Sequence, residues 1–107
     1  MNNSDSIFLP EIAEVVSTRQ LTDMEKYIEL KLSDSREFDF NPGQFVQLSI
    51  FGIGEAPISI SSSPSNKNII GLCIRKAGDV TSAIHRLEEG SSLGIRGPLG
   101  NGFPIDE

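Results

Sequence analysis

Ile69-Ile70-Gly71-Leu72-Cys73-Ile74-Arg75-Lys76-Ala77-Gly78-Asp79-Val80-Thr81-Ser82-Ala83-Ile84-His85-Arg86-Leu87 is the stretch around which the chain is organised. Its first half alternates. Ile70, Leu72 and Ile74 fall on one face, with Cys73 and Arg75 on the other, which is the period of a strand with one buried side. A Gly-Asp turn at Gly78-Asp79 follows, and then the one segment with helical spacing, roughly Val80 to Leu87. Its apolar stripe is Val80, Ile84 and Leu87, with Ala83 beside it. Asp79, Thr81 and Ser82 bring capping oxygens to the first turn. The first amides of a helix lack internal acceptors and lie at the positive end of its dipole. With Arg75 and Lys76 just upstream and Gly78 leaving room for close approach, this start can hold a phosphate or pyrophosphate. It can equally be an ordinary capped connection, and the segments around it decide the weighting.

Working outward, the same alternation recurs. Glu11 to Thr18 carries Ile12, Val15 and Val16. Lys26 to Ser33 sets Ile28, Leu30 and Leu32 against Glu29 and Lys31, and Gln44 to Phe51 sets Val46, Leu48 and Ile50 against Gln47 and Ser49. Ala56 to Ser63 is a fourth, serine-rich strand, and Ser92 to Arg96 a last short one. Ser33-Asp34-Ser35-Arg36 and Asn41-Pro42-Gly43 turn the chain, Pro64 to Asn68 is a loop, and Gly52 and Gly54 end the third strand. Phe38 and Phe40 read as core. Six short strands with turn signals between them predict an all-β domain, an antiparallel barrel or a sandwich, and the single helix would cover an open barrel end.

A chain of 107 residues is one domain with its own core. The first six residues are polar, and a flexible tail over 1–10 is expected ahead of a domain over 11–107. The net charge of −6 argues against a nucleic-acid surface and against an anionic membrane. No apolar run approaches a membrane span and no signal-peptide core follows the polar start, so a cytoplasmic location is expected. Cys73 is the sole cysteine, which leaves no disulfide framework and no thiolate metal centre within this chain.

Few side chains suggest chemistry of their own. In Ala56-Pro57-Ile58-Ser59-Ile60-Ser61, Pro57 places the strand at an edge, and the serines put hydroxyls and free amides beside Ile58. That suits a flat, mostly apolar ring with hydrogen-bonding edges; it also suits the polar face of an edge strand. His85, the sole histidine, reads as a solvated helix residue, and Cys73 as a small buried hydrophobe. No carboxylate pair, catalytic triad or metal set is visible, so if the domain takes part in catalysis, a cofactor does the chemistry and the protein holds it.

Taken together, these stretches resemble the flavin domain of the ferredoxin–NADP reductase superfamily, in order from about Ile12 to Glu107. Asn41-Pro42-Gly43-Gln44-Phe45-Val46 resembles its Pro-Gly-Gln strand opening, and Pro57-Ile58-Ser59 the end of its Arg-x-Tyr-Ser motif. Leu72-Cys73-Ile74-Arg75 with Gly78 to Ser82 resembles its pyrophosphate strand and helix. Gly97-Pro98-Leu99-Gly100 resembles the segment that closes the domain. Within the superfamily, Gly54-Glu55-Ala56-Pro57-Ile58-Ser59-Ile60 and Gly97-Pro98-Leu99-Gly100-Asn101-Gly102-Phe103-Pro104 are similar to sulfhydrogenase gamma subunits and to the B component of anaerobic sulfite reductase. The electron-transfer subunit of dihydroorotate dehydrogenase is related.

The resemblance implies a six-stranded antiparallel Greek-key barrel with one short capping helix, binding FAD. Ser59 would hydrogen-bond the reactive edge of the flavin, with Pro57 and Ile58 packed on or beside the ring. Cys73, Ile74 and Arg75 would line the flavin and its ribityl-phosphate side. Gly78, Val80, Thr81 and Ser82 would present amides and hydroxyls to the pyrophosphate. Ala56 stands where the superfamily has an arginine and Ile58 where it has an aromatic residue, so Arg75 or Lys76 would have to supply the charge. The resemblance further implies a nicotinamide-binding domain and a [2Fe–2S] segment beyond Glu107, absent from this chain. It also implies iron–sulfur, hydrogenase or reductase subunits as partners, and NAD(P) as the electron donor or acceptor. The other expectation is a flavin-free barrel that serves only as a docking module.

Overall fold

The alternating segments become strands because each can bury one face against the others. The computed structural model describes residues 11–38, 40–41, 44–62 and 68–97 in full, and the backbone of 98–99. Its elements are β1 (Glu11–Gln20), β2 (Glu25–Leu32), β3 (Phe45–Ile50), β4 (Gly54–Ser59), β5 (Ile70–Arg75), α1 (Asp79–His85) and β6 (Ser92–Leu99). All strand pairs are antiparallel, in the order β4-β3-β6-β1-β2-β5. The last strand returns between β1 and β3, as a Greek key requires.

The two end strands of that order, β4 and β5, curve round to face one another. Among the described residues they meet through one bridge, between Ile60 and Leu72. Beside it, the amides of Ser61 and Ser62 donate to the Gly71 carbonyl at 2.8 and 3.2 Å, and the Gly71 amide donates to Ser62 Oγ at 2.9 Å. The result is a nearly closed barrel with one seam. α1 packs against β3, β4 and β5 and inserts Ala83 and Ile84 into the barrel end.

Ile28, Leu30, Val46, Leu48, Ile70, Leu72, Ile74, Leu93 and Ile95 are almost wholly buried, and Phe38 and Phe40 join them as the sequence predicts. Each such side chain is worth about 1.5–3 kcal/mol of burial. β4 differs most from expectation: it starts two residues early and ends at Ser59, because the following serines leave β3 to close the seam onto Gly71. β1 runs two residues longer than predicted, to Gln20. The expected N-terminal tail, Pro42-Gly43, Ser63 with the loop to Lys67, and the segment after Leu99 lie outside the described residues.

Candidate functional site: the β4–β5 seam

Alternation along β4 turns Ala56 and Ile58 toward the core and leaves Pro57 and Ser59 exposed on the outer face. On β5 it buries Ile74 and exposes Cys73 and Arg75. The chain then passes Lys76 and Ala77 into α1, whose N-cap is Gly78. Ala56–Ser59, Cys73–Arg75 and Gly78–Ser82 therefore all lie on the three elements that border the seam. Between Gly54 and Ser59, β4 pairs with β3 along its length and meets β5 only near Ile60. Main-chain polar groups along that rim are thus available to a ligand.

Several side chains stand differently from expectation. Cys73 is exposed, not a buried hydrophobe, because it shares the outward parity of Arg75. Ile58 is 7% exposed and packs in the core opposite Val46, so its side chain does not stack against anything outside the barrel. Ile74 is fully buried, and only its main chain reaches the seam side. His85 is buried rather than solvated, its Nε2 2.7 Å from the Ile74 carbonyl oxygen. Gly78 has φ 178°, an extended conformation open to any residue. What its missing side chain leaves is space: a Cβ there would meet nothing within 4 Å.

Thr81 also departs from the expected role. Its Oγ1 accepts from the amides of Ala77 and Gly78 at 2.8 and 3.0 Å and so faces back onto the β5–α1 corner. The amides of Asp79, Val80 and Thr81, in the first turn, remain without helical acceptors. Arg75 is two-thirds exposed, and its Nη1 lies 3.4 Å from Glu25. A surface pair of this kind is worth little and leaves the guanidinium free to turn to another anion. Ala56 carries no charge, as the sequence shows, and packs partly against the core. A cleft of about 340 Å³ lies on the other flank of α1, lined by Gly52, Ile53, Asp79, Ser82 and Arg86. Among the described residues no cluster of histidine, cysteine and carboxylates is set to hold a metal.

The family model for the oxidoreductase FAD-binding domain matches residues 13–103. The chain belongs to that family. Among curated relatives, this FAD-binding domain is 46% identical to sulfhydrogenase 1 subunit gamma of Pyrococcus furiosus, a match over all of this chain and 38% of the relative. It is 37% identical to a probable dihydroorotate dehydrogenase B (NAD(+)) electron transfer subunit of Methanothermobacter thermautotrophicus, over 94% of this chain and 37% of that one. The domain thus spans little more than a third of these relatives. Solved structures share the fold. The ferredoxin reductase in carbazole 1,9a-dioxygenase superimposes with a TM-score of 0.75 at 23% identity, over 86% of this chain and 29% of that one. The cytochrome b5 reductase domain of Ulva prolifera nitrate reductase gives 0.75 at 12%, over 88% and 41%.

The groups at the seam that could hold FAD are the β4 rim beside exposed Ser59, the open space at Gly78, the first-turn amides of α1 and the exposed guanidinium of Arg75. Sequence reading missed Lys26, whose Nζ donates to the carbonyls of His85 and Leu87 at 2.7 and 3.2 Å. A signal was present, since Lys26 shares the inward parity of Ile28, Leu30 and Leu32, and a lysine there has to find acceptors. No helix among the described residues is long and apolar enough to cross a membrane.

Proposed function

We propose that this domain holds FAD across the β4–β5 seam and serves as the flavin-bearing part of an NAD(P)H-linked electron-transfer subunit. The observation that carries the reading is the unladdered β4 rim facing Cys73 and Arg75, with the β5–α1 corner at one end. Ser59 donates its hydroxyl to the ring edge and Pro57 lies against the ring. Arg75 and the first-turn amides of α1 take the pyrophosphate, while Ser82, which lines the cleft on the other flank of α1, stands away from it. When bound, FAD supplies the redox chemistry, taking electrons in pairs from a nicotinamide and releasing them singly to an iron–sulfur centre.

β6 supports this arrangement. Its end at Leu99 pairs with Phe45, which pairs in turn with Ser59, so the chain leaves the barrel at the Ser59 end of β4. A nicotinamide-binding domain following there would face the ring. The printed names of the relatives, a sulfhydrogenase subunit and an electron transfer subunit, fit hydrogenase or reductase subunits with iron–sulfur centres as partners.

Titration with FAD, followed by quenching of flavin fluorescence, tests the reading. Binding is expected, and Arg75→Ala should weaken it about tenfold or more, the order of one charge-assisted hydrogen bond. Unchanged emission at high FAD would favour the flavin-free docking module, the alternative that the uncharged Ala56 supports.

A further inference from the structure

α1 has seven residues, too few to hold a helix by its own hydrogen bonds in water. Its position comes from contacts at both ends. At the front, Thr81 Oγ1 accepts the Ala77 and Gly78 amides. At the back, three residues from three elements close a ring. The buried His85 side chain donates from Nε2 to the Ile74 carbonyl at 2.7 Å; a carbonyl only accepts, so the proton is on Nε2. The His85 carbonyl accepts from Lys26 Nζ at 2.7 Å. Lys26 lies directly across from Ile74 in the β2–β5 ladder. The ammonium group also suits the negative end of the helix dipole, where the Leu87 carbonyl is its second acceptor.

We infer that His85 and Lys26 are positioning residues for cofactor binding: together they clamp α1 to β2 and β5 and so fix the corner from Arg75 to Thr81. This rests on the seam being the FAD site. Neither side chain touches that site. Each acts through Ile74, whose neighbours Cys73 and Arg75 are exposed at the seam, and through the spacing between Arg75 and the start of α1. Without the clamp the helix still covers the barrel end through Ala83 and Ile84, but it slides relative to β5, and the cation and the amides no longer meet the same ligand.

Three variants of the 107-residue chain test this, each read well below its unfolding midpoint. His85→Leu keeps an apolar body of similar size and removes the donor; His85→Gln restores an amide N–H; Lys26→Met removes the cation and keeps the stem. FAD affinity is expected to fall about tenfold in His85→Leu and in Lys26→Met, and to recover largely in His85→Gln. Wild-type affinity in a folded His85→Leu, or no recovery in His85→Gln, overturns the inference. Amide exchange over residues 76–85, measured without FAD, separates this from the flavin reading. Protection that falls in His85→Leu and returns in His85→Gln supports the clamp whatever the cofactor does, and unchanged protection overturns it.

Discussion

At the scale of single residues, Gly71 is constrained most tightly. A Cβ there would lie 1.9 Å from the Tyr27 hydroxyl oxygen and 2.6 Å from the ring carbon bearing it, so the tyrosine covers the glycine on the outer face of β2 and β5. That cover partly desolvates the phenol and raises its pKa, with Glu29 adding to the rise. Gly71→Ala is expected to cost about 1–3 kcal/mol, the range of an overpacked site. The cost should shrink in a Tyr27→Leu background, and a double-mutant cycle by chemical denaturation reads the coupling. Glu55 is the second such residue. It accepts from Ser49 Oγ at 2.9 Å, Arg96 Nη2 at 2.6 Å and Gln47 Nε2 at 3.2 Å, and these bonds, that of Ser49 foremost, hold its carboxyl below the usual range. A carboxyl with a lowered folded pKa adds stability above its unfolded pKa and loses it as pH falls through the folded one. Glu55→Gln should therefore lower stability slightly at neutral pH and flatten the acid limb of a stability–pH profile, so that variant and wild type converge below the ordinary glutamate range, as read by circular dichroism.

At the scale of elements, the β5–α1 corner is where the proposed FAD site can be probed apart from the fold. Thr81→Val removes the acceptor of two corner amides and should lower stability by about 1 kcal/mol, as the loss of a cap does, while weakening FAD binding. Gly78→Ala separates the two effects. Its extended backbone tolerates a side chain, so the melting midpoint should hold while a methyl group in the open space lowers FAD affinity, measured by the same fluorescence titration. The strands were legible because alternation is a local property: Ile28, Leu30 and Leu32, or Ile70, Leu72 and Ile74, declare their face within one segment. His85 was not, because its burial depends on β5 and β2 arriving from elsewhere to supply a carbonyl and a lysine. Cys73 was misjudged by its apolar neighbours in sequence, although its parity with Arg75 already placed it outside. The seam-bordering elements came from motif order in the sequence; the inward turn of Ile58 and the backward reach of Thr81 needed the packed structure.

At the scale of the whole molecule, one sheet wraps a single core, and among the described residues its two ends are joined by the Ile60–Leu72 bridge and the Ser61, Ser62 and Gly71 bonds. The seam is the least laddered part of the barrel, so main-chain amides of β4 and of residues 60–62 should exchange with deuterium sooner than those of β1 or β2, and FAD should slow them. At a hundredfold excess over its dissociation constant, FAD should add about 2.7 kcal/mol to apparent stability, read as a rise in melting temperature. The uncovered rim has a further consequence for handling the protein. A strand edge with unsatisfied main-chain groups is a template for a strand from another copy, so flavin-starved preparations should self-associate through β4, and riboflavin supplied during expression should govern how much monomer is recovered.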